Sequence, residues 1–207
     1  MMPEDNIYRN FLVEKCSFDA AHDLAHIQRV VKTARQICDV EEGDSEVVIV
    51  SAWLHDCVTL PKDHPERSKS SILAGKKAAQ FLNTTNFPKE KIKSVVHAIE
   101  AHSYSAGIEP ETIEANIVQD ADRLDALGAI GIARCLLVGG KLDRPLYNLD
   151  DPFCESRVPD DSIYTIDHFY EKLFKLPELL NTESAKDIAS DRIEFMKRYL
   201  SQLREEI

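Results

Sequence analysis

Glycine and proline are scarce in this chain of 207 residues, 7 and 9 of them, which argues against a turn-rich β fold. Cysteine is too sparse and too scattered for a framework. Cys16, Cys38, Cys57, Cys135 and Cys154 are odd in number and never form a CxxC pair, so neither a disulfide scaffold nor a thiolate zinc site is expected. No stretch approaches the roughly 20 apolar residues of a membrane span. The opening MMPEDNIYRN has neither a basic start nor an apolar run, so secretion is not expected and a cytoplasmic location is. Basic residues are also in deficit: 25 Lys and Arg stand against 36 Asp and Glu, a net charge of −11 spread along the chain. A nucleic-acid polymer would be repelled. A small anionic substrate is not excluded, because a metal and a few local cations dominate the field inside a pocket.

What is present is ordinary globular composition, 43% hydrophobic and 29% charged, in a length suited to one domain over 1–207. Apolar residues recur at helical spacing over 21–40, where Val30, Ala34 and Ile37 share a face, and the stretch EEGDS at 41–45 places Gly43 as a stop and Asp44 or Ser45 as the next cap. EVVIVSAWLHD at 46–56 runs past strand length and reads as a buried helix. Pro65 and Pro88 open helices to about Asn83 and His102. A helix over 111–127 is continued by GAIGIARCLLVGG. Residues 141–162, rich in Pro and Asp, form one long loop, and a C-terminal pair of helices follows at 163–176 and 182–204. The fold class is all-α.

Three segments carry chemistry. His26 interrupts an apolar helix face; alone, an inward histidine is more often a hydrogen-bonded core residue than a ligand. His55 and Asp56 end a buried apolar run, where they need either partners or an exposed helix end. Asp120, Asp122 and Asp125 crowd one apolar segment and repel one another, which a dication relieves better than Arg123, able to neutralise only one of them. Two imidazoles with two carboxylates make a mixed nitrogen and oxygen set suited to Mn, Fe, Co, Ni, Zn or Mg.

HDLAHIQRV at 22–30, AWLHD at 52–56, AHS at 101–103 and QDADRLDALGAIGIAR at 119–134 together resemble the HD-domain phosphohydrolase superfamily, over a motif core of about 20–135. The resemblance implies a helical bundle binding one divalent metal ion through His26, His55, Asp56 and Asp122, with Asp120 as the substitute for the fourth ligand. The implied activity is hydrolysis of a small phosphorylated molecule, a nucleotide, by attack of metal-activated water. Nucleotide pyrophosphohydrolase and monophosphatase both fit the small stand-alone members. HDCVTL at 55–60 lacks the Glu-Asp pair that follows the motif in the hydrolase half of alarmone synthetase/hydrolases. Ala126 stands where those enzymes place an Asn, so that activity is disfavoured.

Asp56 is the candidate to orient water or act as base, and Lys62, Arg67, His102 and Arg123 are candidates to hold phosphate. Each has a plainer role open to it: solvated charge for Lys62 and Arg67, an ion pair with a neighbouring Asp for Arg123, a helix cap for His102. His22 and Asp23 are expected to support the site, Asp23 by accepting from the ring of His26. His97 and Trp53 are expected to be structural and Cys57 inert. A second metal using His97 and His102 is the mechanistic variant, a catalytically silent metal- and nucleotide-binding sensor is the alternative function, and a homodimer is left open.

Overall fold

A computed structural model describes residues 5–16, 23–60 and 64–207. Among them lie nine α-helices and no strand, as the all-α reading requires. The chain divides into two compact units, Met1–Asp122 and Arg123–Ile207, each described by itself. No helix of the described residues is long and apolar enough to cross a membrane.

The first unit is built round α3 (Ser45–Leu54). Asp44 caps it, its side chain accepting from the N–H groups of Glu46 and Val47. The helix is apolar on every side, with Val47, Val48, Val50, Ala52, Trp53 and Leu54 all buried. A helix of that kind is stable only at the centre of others. It packs against α1 (Asn6–Lys15), α2 (Leu24–Glu41), α4 (Ser70–Leu82) and α5 (Ile92–Ala101). The buried stripe of α2, Ile27, Val30, Val31, Ala34, Ile37 and Cys38, follows the expected spacing. α1 was not anticipated from the sequence. Pro65 falls in a turn and α4 starts only at Ser70, after a 3-10 turn over Arg67–Lys69.

The end of α2 corrects one expectation. The left-handed residue is Glu42 (φ 57°), whose N–H bonds Cys38 O, and not Gly43. Gly43 answers a different need: a Cβ there would sit 3.0 Å from Ile117 Cδ1 on α6 (Ile113–Leu124). α6 is further held by Glu114, whose Oε1 accepts from Asp44 N at 3.0 Å.

α6 does not run on into α7 (Gly128–Lys141). Leu127 is extended (φ −115°, ψ 164°) and Gly128 turns left-handed (φ 71°), a conformation that glycine adopts without cost. In the second unit α7 packs on α9 (Glu183–Glu206). The helix expected at 163–176 is realised only as α8 (Asp167–Glu171), followed by 3-10 structure over Leu173–Leu179. Lys172 (φ −130°) breaks the first, and Pro177 lies inside the second.

The long loop before α8 is internally tied. Asp151 gathers the N–H groups of Glu155, Ser156 and Arg157. Arg157 in turn grips both oxygens of Asp167 at 2.5 and 2.7 Å.

Candidate metal centre

Asp23 begins the site. It is the N-cap of α2 and its Oδ1 accepts from the backbone N–H of His26 at 2.8 Å. The expected bond to the imidazole is thus replaced by one to the main chain: a cap carboxylate must face the orphan N–H groups of the first turn, which fixes His26 through its backbone. His26 is 1% exposed. His22 and Lys62 lie outside the described residues.

His55 and His102 share one local device. Each is the residue directly after a helix, α3 and α5, with α-helical φ and ψ. Each points Nδ1 at the carbonyl three residues back, His55 to Ala52 O at 2.8 Å and His102 to Ile99 O at 2.6 Å. A carbonyl can only accept, so Nδ1 carries the proton and Nε2 is turned the other way. Burial pushes the His55 pKa down and outweighs the neighbouring Asp56, so this ring is neutral with a lone pair on Nε2. That atom is buried and has no hydrogen-bond partner among the described residues.

Carboxylate oxygens meet these rings. Asp56 Oδ2 lies 3.8 Å from His26 Nε2 and 3.5 Å from His55 Nε2, while its Oδ1 lies 3.6 Å from His102 Nε2. Asp122, in the last turn of α6, brings Oδ1 to 3.3 Å from His26 Nε2 and 3.9 Å from His55 Nε2. Burial works against ionising Asp122, but the nearby rings of His26, His55 and His102 hold its pKa well below the ordinary carboxylate range. For His102, burial is likewise outweighed: the Asp56 carboxylate, 3.6 Å from Nε2, raises its pKa.

The spacing fits a cation. Ligand atoms each about 2.1 Å from one ion lie about 3 to 4 Å from one another, the range found for the oxygens of Asp56 and Asp122 about the two rings. Ligand atoms of His26, His55 and Asp56 all fall within 4.8 Å of each other. No thiolate competes. Cys57 is buried with its thiol pushed up to about 12 by burial, and it bonds Ala74 O.

The remaining candidates are placed elsewhere. Asp120 is fully buried, about 200° round α6 from Asp122. Asp125 belongs to the second unit, where Arg134 holds it at 2.7 Å. Arg123 donates Nη1 to Leu179 O, and Arg67 donates Nη1 to Leu60 O at 2.9 Å. His97 accepts from the backbone N–H of Glu111 at 3.0 Å, a loop contact of the structural kind expected for it.

The chain is similar to known proteins over most of its length. The HD domain family model matches residues 23–127. The chain is 32% identical over 192 residues to protein YpgQ of Bacillus subtilis strain 168, covering 91% of this chain and 85% of YpgQ. The crystal structure of YpgQ in complex with ADP aligns with a TM-score of 0.74 at 33% identity, covering 98% of this chain and 97% of YpgQ. An HD-superfamily hydrolase of Bacillus thuringiensis aligns with a TM-score of 0.74 at 33% identity, covering 99% and 98%.

Proposed function

Since the chain belongs to the HD-domain family, we propose that it is a divalent-metal-dependent phosphohydrolase whose substrate is a nucleotide, cleaved at an anhydride or monoester bond. One observation carries the reading: His55 Nε2 is buried without a hydrogen-bond partner among the described residues, yet faces carboxylate oxygens at 3.5 and 3.9 Å. A buried nitrogen left that way destabilises the fold by about 1–3 kcal/mol. A cation held by His26, His55, Asp56 and Asp122 relieves it. Bound there, a divalent ion supplies the Lewis acidity that polarises a phosphoryl oxygen and acidifies water near neutral pH.

The protein's own groups supply the rest. Asp56 divides its carboxylate, Oδ2 toward the rings of His26 and His55 and Oδ1 3.6 Å from His102 Nε2, and so favours the charged form of His102. His102 Nε2, beside the ligand set, is the candidate donor for a phosphate oxygen. Lys62, Arg67 and Arg123 remain candidates from the sequence alone for further phosphate oxygens; Arg67 and Arg123 donate instead to the carbonyls of Leu60 and Leu179. The ADP bound to YpgQ supports a nucleoside phosphate as the substrate class.

The test is a hydrolysis screen of nucleoside mono-, di- and triphosphates and cyclic nucleotides with Mn, Co, Ni or Mg, reading phosphate and pyrophosphate release separately. Turnover is expected, and is expected to vanish with chelator and in Asp122→Ala. Nucleotide binding without turnover under every ion would replace the enzyme with a sensor.

A further inference from the structure

Three consecutive carbonyls at the end of α5 are each closed by a side chain. Ile99 O accepts from His102 Nδ1 at 2.6 Å, Glu100 O from Ser71 Oγ at 2.9 Å, and Ala101 O from Gln119 Nε2 at 2.7 Å. The last four carbonyls of an α-helix have no partner inside the helix, so each bond fills a need. The donors come from three elements: the cap of α5 itself, α4 and α6. Only Gln119 belongs to the helix that carries Asp122. It is buried, 4% exposed, and precedes Asp122 by three residues, so the two side chains leave α6 about 60° apart on one face.

The geometry points to Gln119 as a positioning residue: its bond to Ala101 O sets the axial place of α6 against the end of α5 and so holds the Asp122 carboxylate at the rings of His26 and His55. α6 advances about 1.5 Å per residue, and a metal shell accepts errors of about 0.2 Å in each ligand distance. A slip of α6 by a fraction of one residue therefore takes Asp122 out of a shared ion. Packing of the apolar face of α6 holds the helix as a whole, while the hydrogen bond of Gln119 fixes one point near Asp122. Other ties of α6 lie elsewhere on it: Glu114 Oε1 accepts from Asp44 N eight residues before Asp122, about 12 Å along the axis, while Arg123 Nη1 donates to Leu179 O and Leu124 O accepts from Arg192 Nη1. The bond of Gln119 is the one of these that ties α6 to α5, the helix that His102 caps.

This inference rests on the metal-site reading above. The experiment is calorimetric titration of the chelator-stripped full chain with Mn²⁺, comparing wild type with Gln119→Met, Gln119→Asn, Ser71→Ala and Glu114→Gln. Gln119→Met keeps length without a donor, and Gln119→Asn keeps a donor too short to reach. Either is expected to weaken Mn²⁺ binding about 10-fold with helical circular dichroism retained, so a failure of one to fold leaves the other to decide. Ser71→Ala removes the adjacent bond to Glu100 O with no link to α6, and Glu114→Gln alters the distant tether. Both are expected to bind Mn²⁺ like wild type even where melting temperature falls. Wild-type affinity in the folded Gln119 variants, or an equal loss in Ser71→Ala, overturns the assignment. If wild type itself binds no Mn²⁺, the metal-site reading falls first and takes this role of Gln119 with it.

Discussion

Asp167, in the Arg123–Ile207 unit, and His55, in the Met1–Asp122 unit, are both wholly shielded from solvent, yet their polar atoms are treated differently. Asp167 is saturated: two Arg157 nitrogens and the N–H of Asp160 meet it at 2.5, 2.7 and 2.7 Å. His55 is closed on one side only, by Ala52 O, and its Nε2 has no hydrogen-bond partner among the described residues. Buried polar groups are normally satisfied within the protein or by ordered water. The closed cluster therefore accounts for itself as scaffold, holding a long loop in place. The half-open one leaves place for a partner not found among the described residues. Burial of a polar group is thus no sign of function; an incomplete shell that faces two carboxylates is a place for a cation.

Removing His55 breaks the contrast at its open end. His55→Ala is expected to lower metal affinity and hydrolysis more than about 100-fold, read by metal analysis of the purified protein and by phosphate release, with metal-free stability shifted little.

Arg157→Met breaks it at the closed end and should do the opposite. Metal content stays, while the folding free energy falls by about 3–5 kcal/mol in urea denaturation, because the Asp167 carboxylate is left buried without its cation. The same pair sharpens the comparison through pH. Burial opposes ionising Asp167, but Arg157 and the N–H of Asp160 more than offset it, so its folded pKa is depressed. A depressed carboxylate contributes stability that is fully present above its unfolded pKa, near 4, and is lost as pH falls through the folded value. The gap between wild type and Arg157→Met should therefore be constant at neutral pH and close below about pH 4.

The smallest effect is expected at Asp23, whose tie to the site runs through the backbone of His26. Asp23→Ala should cost about 1 kcal/mol in thermal stability, with metal affinity weakened only slightly.

Much of this was legible in the residues. The stripe of α2 and the all-apolar α3 follow from local periodicity and, for α3, from the cap at Asp44. The break between α6 and α7 was not, because DALG contains no proline and the apolar pattern passes straight through it; only the left-handed Gly128 ends the helix. Gly43 read as a helix stop, whereas its real constraint is Ile117, a residue remote in sequence. Gln119 drew no notice, since a lone amide on an amphipathic helix has no local signature. Its spacing of three from Asp122 was the one available hint.

The sequence by itself determined that this protein is helical, that no thiolate enters the site, and which residue types stand ready to ligate, in the order His26, His55, Asp56 and an aspartate of the 120–125 segment. It also determined the ring orientation of His55 and His102, because a bond to a carbonyl three residues back is a local matter. The resemblance named Asp122, with Asp120 as substitute, but the residues themselves do not choose; the tertiary structure brings Asp122 to the rings. Asp120, Asp122 and Asp125 are alike in chemistry and differ by their angle round α6 and the break that follows it. That angle is set by how the buried faces of distant segments pack, with one burying Asp120, another handing Asp125 to Arg134, and the last bringing Asp122 to 3.3 Å from His26. Local spacing carries no information about a contact of that range.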